Sequence, residues 1–364
     1  MKNALDFNVH PSNYLEGLGF IQSFASAYAF LEASELDISG HCVGCGSGGD
    51  QHHCKKDELA QKRCKLFFLF NTMCGNSALR RRFDGQETEM HRLTGDTADL
   101  GKSGGSDFTI DFLFGYTGYE YRKVTGNFKA EIVAAIDAGK PVIANFKNND
   151  FRVVIGYDEN SLMIPYTVAY DYSISRTEPK PEKTYTYDDI DVLYIFGEKA
   201  ARRYTLINGL NNIRRVMEYN LNEGLWDEYL AKLGKNLVKA SPEERKARAE
   251  SLAETNMYMY NICSLCGAFC TDSKQYSHYL HAELWNPALV GLWNSIDEPH
   301  WVILNAGHKT GKLKQKKIWW PVNKWKIPGL SKEICGEIVK CKQADMALLE
   351  IIKQAIAILE EKPT

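Results

Sequence analysis

Thiols and imidazoles are the side chains with the clearest chemical purpose. Cys42-Val43-Gly44-Cys45 is followed, after a Gly/Ser stretch, by His52-His53-Cys54. Thiolates and an imidazole at these spacings can close a tetrahedral zinc site: Cys42, Cys45 and Cys54 with one of His52 or His53, His53 being taken as the fourth ligand. A zinc ribbon would place a second C-x-x-C pair some fifteen residues on, and its absence keeps a glycine-rich surface loop with reduced cysteines as the competing reading. Cys263, Cys266 and Cys270 recur at i, i+3 and i+7, which on a helix makes them small apolar residues of one side rather than cluster ligands. His278 and His281 form an i, i+3 pair without a third ligand, a structural pattern more than a metal-binding one. Two basic groups can hold an anion: Arg80-Arg81-Arg82, and the stretch 309–326, where seven lysines interleave with Trp319, Trp320 and Trp325. The second suits an acidic partner such as a carrier protein, or a surface loop pinned by its tryptophans.

The chain that must position these groups has 364 residues, 44% of them hydrophobic and 25% charged, enough to bury a real core in about two domains. A net charge of −2 gives no reason to expect a nucleic-acid partner. The stretch from Met1 to Asp6 lacks the apolar region of a signal peptide, and no apolar run is long enough to span a bilayer. The expectation is therefore a cytoplasmic protein with no membrane partner, whose ten cysteines are reduced or metal-bound rather than disulfide-linked.

Periodicity and turn chemistry agree best between Phe128 and Asp158. Phe128, Ile132, Val133 and Ile136 have helical spacing, and Gly139 stops the helix. Val142 to Phe146 reads as a strand, Lys147-Asn148-Asn149-Asp150 as a turn, and Phe151 to Asp158 as a second strand. A third strand is expected at Ser161–Pro165 and a later one at Val192–Gly197. Residues 17–35 are small and apolar on nearly every side, which suits a buried helix. Lys65 to Gly85 combines a buried segment with a turn at Gly75-Asn76. Phe112 to Tyr119, aromatic with two glycines, reads as a strand, beside a substrate groove or simply packed in the core. After Gly197 the character becomes helical: 200–232, 241–270 with a capping box at its start, 277–296 and 331–361. The fold class is α+β, with residues 1–200 a mixed domain carrying an insertion at about 36–65, and residues 201–364 an all-helical domain.

The run AIDAGKPVIANF…FRVVIGYDEN resembles the second half of the papain-like domain of bacteriocin-leader peptidases, and the N-terminal domain of butirosin-type acyltransferases. The order of elements matches over roughly seventy residues. The resemblance implies a papain-like fold and a nucleophilic Cys at the start of the central helix, where the helix dipole lowers its pKa and backbone amides help form an oxyanion hole. Ser23 aligns with that Cys in the acyltransferase pattern and Ser26 in the peptidase pattern. Asp150 aligns with the catalytic His, and Ile164 with the Asp that orients it. Three explanations for the missing thiol stay open: a non-catalytic branch, a true Ser nucleophile, or a Ser introduced in place of Cys. Small residues that let a helix pack closely are the plain alternative.

Two functions follow from this resemblance. One is an acyltransferase that forms an amide from a thioester-bound acyl group, on a small molecule or a carrier protein, and an amine, as in specialised metabolism. The other is a ligand- or peptide-binding protein on the same scaffold with a degenerate triad. Peptidase activity ranks behind both. Neither needs a cofactor, and a structural zinc is the one metal suggested.

Overall fold

In the computed structural model the residues described are 3–6, 19–32, 66, 69–71, 73–79, 89–94, 106–147, 150–164, 170–171, 176–177, 184–233 and 330–361. The helices expected at 241–270 and 277–296 and the basic-aromatic stretch 309–326 lie outside them. The chain forms two compact units, one of Met1–Cys74 with Leu93–Thr205, the other of Gly75–Arg92 with Leu206–Thr364. The segment Gly75–Arg92, which sequence order alone grouped with the first domain, thus belongs to the second unit.

The first unit is mixed α+β. Its described elements in chain order are β1 (Asn3–Ala4), α1 (Phe20–Leu31), α2 (Glu89–Thr94, which begins in the other unit), α3 (Asp107–Thr117), β2 (Tyr119–Val124), α4 (Phe128–Asp137), β3 (Val142–Phe146), β4 (Asp150–Val154), β5 (Gly156–Tyr157), β6 (Leu162–Met163), β7 (Tyr170–Asp171), β8 (Arg176–Thr177) and β9 (Ile190–Lys199). Its main sheet is antiparallel in the order β2-β9-β3-β4. Side chains alternate along each strand, so this sheet has two faces. On one, Val142, Ala144, Phe146, Val154, Leu193 and Ile195 pack with Ile132 and Ile136 of α4. That helix forms for the reason its spacing gives, and it ends where Gly139 takes φ 77° and its amide donates to the Ile136 carbonyl at 2.9 Å.

The opposite face carries Ile143, Asn145, Phe151, Val153, Tyr194 and Phe196, and α1 lies across it. Phe20 meets Phe151 and Tyr194 edge-on at 5.6 and 5.3 Å between ring centroids. One turn on, Phe24 meets Phe114 at 4.9 Å, Phe196 at 5.4 Å and Phe70 at 5.5 Å. Aromatic contacts at these separations, edge-to-face except for the tilted Phe24–Phe196 pair at 32°, add to the apolar burial of each ring.

Two expectations about strands are corrected. Phe112–Tyr119 is not a strand: α3 runs to Thr117, and only Tyr119 begins β2. The Ser106 hydroxyl caps α3 by accepting from the Thr109 amide at 3.1 Å, and Gly118, at φ 76°, closes it. The second correction is that the strand expected over Phe151–Asp158 breaks at Ile155. There the amide donates to the Met163 carbonyl at 2.9 Å and the carbonyl accepts from the Leu5 amide at 2.8 Å, so the chain passes into a second sheet of order β1-β5-β6. Gly156 is required at that crossing, because a Cβ there would stand 2.7 Å from the Asn3 carbonyl oxygen.

Beyond β9, residues 200–204 are not yet helical. The Ala200 amide donates to the Gly118 carbonyl at 2.7 Å and the Arg203 amide to the Gly115 carbonyl at 2.8 Å, which lays this segment along α3. A Cβ on Gly115 would stand 2.5 Å from the Tyr204 ring, so glycine is what allows the close approach.

The second unit holds α5 (Leu206–Asn222), α6 (Leu225–Leu233) and α7 (Leu330–Glu360). The single helix expected over 200–232 divides at Gly224, φ 63°. Leu210, Ile213 and Met217 of α5 and Leu348, Ile352 and Ile356 of α7 are buried, the apolar faces that the periodicity of both helices marks. Trp226, 1% exposed, donates from Nε1 to the buried Asp345 carboxylate of α7 at 2.7 Å, which satisfies the indole where no water reaches it. Gly75, φ 83°, brings the turn Asn76–Ala78 against α5, where the Asn220 side chain donates to the Ala78 carbonyl at 2.7 Å.

Candidate functional site

The candidate site is the start of α1 and the sheet face beneath it. Gly19 is the N-cap of α1 and offers no side-chain cap, so Ser23 closes the first turn with its amide donating to the Gly19 carbonyl at 3.2 Å. Ser23 and Ser26 are 3% and 2% exposed, and the Ser26 hydroxyl has no hydrogen-bond partner among the described residues. An orphaned buried hydroxyl forfeits its solvation, which marks position 26 as a place where small size outweighs polarity.

Asp150 opens β4, paired in register with Phe146. Alternation places position 150 in the set of 152 and 154, whereas 151 and 153 belong to the face that meets α1. The Phe151 ring, not an ionisable group, therefore lies beside the first residue of the helix. Ile164, aligned with the orienting Asp, follows β6 and is partly buried against the α4 side of the sheet.

Neither an activated thiol nor an imidazole is at hand among the described residues. Cys74 and Cys341 are buried, and burial pushes the Cys74 thiol up, away from the thiolate a nucleophile requires. The one described histidine is His91, in α2. Cys42, Cys45, His52, His53 and Cys54 lie outside the described residues, as do Cys263, Cys266, Cys270, His278 and His281. Among the described residues no group of three or more His, Cys, Asp or Glu side chains is placed to hold a metal. No described helix is long and apolar enough to cross a membrane.

Sequence reasoning passed over Asn145. It stands in the middle of the otherwise apolar Val142–Phe146, 8% exposed, and its Oδ1 has no partner among the described residues. The signal was available: a lone amide within an all-buried strand needs either a partner or a purpose.

Charged groups around this core are held in pairs. At the C-terminal end of α1 the buried Glu32 carboxylate accepts from Tyr119 Oη at 2.5 Å and pairs with Lys199 at 2.9 Å. Asp111 of α3 accepts from Arg203 at 2.7 Å and from Tyr204 Oη at 2.6 Å. Burial works to raise the Asp111 carboxyl, but these hydrogen bonds and the guanidinium charge prevail and hold it below its ordinary value. Because the folded-state pKa is depressed, the stabilisation is complete above the unfolded value of about 3.9 and is lost as pH falls through the folded value. Asp111→Asn should thus cost about 1 kcal/mol at pH 7, a figure kept small by solvent screening of a partly exposed pair. The gap between wild type and variant in urea melts should narrow progressively as the pH is lowered below the unfolded value of about 3.9. A gap that stays constant with pH would show that the ion pair contributes nothing.

No protein-family model matches the chain, and no curated protein matches it.

Proposed function

We propose that the chain is a ligand-binding protein on a papain-like scaffold whose catalytic positions no longer carry catalytic groups. The observation that supports this most is burial: Ser23 and Ser26, both in α1, are 3% and 2% exposed. A nucleophile must meet its substrate, and a general base must change protonation near neutral pH; a sealed hydroxyl and a carboxylate aligned with a histidine satisfy neither need. The ligand on this reading is a small molecule or a peptide.

Amide formation from a thioester-bound acyl group and an amine is the second reading, favoured by the place of Ser23 in the first turn of α1. One experiment separates the two. Ser23→Cys is treated with a small thioester and its intact mass compared with that of the wild-type chain, whose ten cysteines set the background. The binding reading expects no added acyl group at position 23. An additional adduct mapping there would establish an accessible acyl acceptor and overturn it.

A further inference from the structure

The main sheet ends on one side at β2, which among the described residues pairs with β9 alone. Alternate residues of an edge strand turn their amide and carbonyl groups away from the sheet, where another strand can take them up. β2 reads Tyr119-Glu120-Tyr121-Arg122-Lys123-Val124, and Glu120, Arg122 and Lys123 are exposed. Charges of one sign would keep a second edge away. Here both signs stand on one face. Glu120 and Arg122 are two residues apart and share the side of the sheet that carries α4, where Arg122 donates to Glu131 at 2.6 Å. The Glu120 carboxylate has no partner among the described residues. The Arg122 side chain, 60% exposed, keeps donors beyond the two that face Glu131.

We propose that two copies of this chain join through their β2 edges, antiparallel, into one continuous sheet. A two-fold axis normal to the sheet keeps each face continuous, so a residue can oppose only one of its own parity. Three registers then leave most of the strand paired. Centred on Glu120 or on Arg122, the axis sets two like charges against each other. Centred on Tyr121, it sets Glu120 of each copy opposite Arg122 of the other, twice over, and Tyr119 opposite Lys123. Opposite charges directly across antiparallel strands attract and like charges repel. The strand is thus its own complement in one register alone, which makes a second copy the occupant of this edge rather than an unrelated peptide. Six residues form a short contact, so the dimer is reversible and depends on concentration. Ligand binding plays no part in the pairing, and failure of the binding reading would leave it in place.

Sedimentation of the full chain over a concentration series, under reducing conditions, should show monomer passing into dimer. Arg122→Glu and Glu120→Arg should each weaken that dimer by about tenfold or more, since either change turns both symmetry-related attractions into repulsions. Mixing the two variants should restore it, because every charge pair across the mixed edge again joins opposite signs. Should Arg122→Glu fail to fold for want of its bond to Glu131, Glu120→Arg, which leaves that bond in place, is read by itself. A wild-type chain that stays monomeric throughout, a dimer indifferent to Glu120→Arg, or two folded variants that remain monomeric when mixed would overturn the proposal.

Discussion

Phe24→Ala should lower the stability of the first unit by about 3–5 kcal/mol, the usual cost of emptying a sealed aromatic site. The reason is the position of the ring. Phe24 is fully buried and touches Phe20, Tyr28, Phe70, Phe114 and Phe196, so its loss opens a space bounded by α1, α3 and β9 at once. Neighbours held by one another's edges collapse poorly into such a space. Urea denaturation followed by near-ultraviolet circular dichroism measures both the midpoint and the aromatic order. A loss below about 1 kcal/mol would mean that the layer repacks freely and that the burial of Ser23 is not enforced by it.

Gly156→Val is expected to cost about 1–3 kcal/mol by overpacking, through a route that can be isolated. The new Cβ would lie 2.7 Å from the Asn3 carbonyl oxygen and 2.9 Å from both Cα and Cβ of Ala4. Relief comes if β1 leaves β5, which also gives up the Leu5–Ile155 backbone bond and the 2.6 Å bond from the Asn3 side chain to Asp137. Removing residues 1–6 from the wild-type chain should cause a loss of similar size, and the two changes together should cost little more than either alone. Additive losses would locate the crowding somewhere other than β1.

Local pattern carried much of the first unit and failed at identifiable places. α4, β3 and the start of β4 were legible because their apolar residues recur at the right period and a left-handed glycine ends the helix. α3 was misread because it is buried from Thr109 to Thr117 almost without interruption, which erases the helical period. Its two ends still announced it, through the Ser106 cap and Gly118. β1 could not be read at all: two residues become a strand only because β5, some 150 positions away, offers an edge. Gly75–Arg92 joins the second unit by contacts with α5 that no window of sequence contains. At the candidate site, the residues that alignment singled out, Ser23 and Ser26, are packed away. Asn145, which alignment ignored, carries a buried Oδ1 without a partner among the described residues, as Ser26 carries such a hydroxyl. A resemblance to a family pattern picks out positions by residue type and order alone, whereas burial and hydrogen bonding are set by neighbours that only the fold brings together.

The segment from Ala200 to Tyr204 bears on where the chain can be divided. By composition the first domain ends with its last strand, and a fragment stopping at Lys199 would look complete. Such a fragment would strip Asp111 of both donors, uncover the Phe112 ring that Tyr204 covers at 5.4 Å, and leave the Gly115 and Gly118 carbonyls to water. A piece cut after Thr205 keeps all of these. The same wild-type residues would then behave as an aggregation-prone fragment or as a well-behaved one according to six positions that belong to no helix or strand, and trypsin reaching Arg202 or Arg203 would report that this cover had lifted.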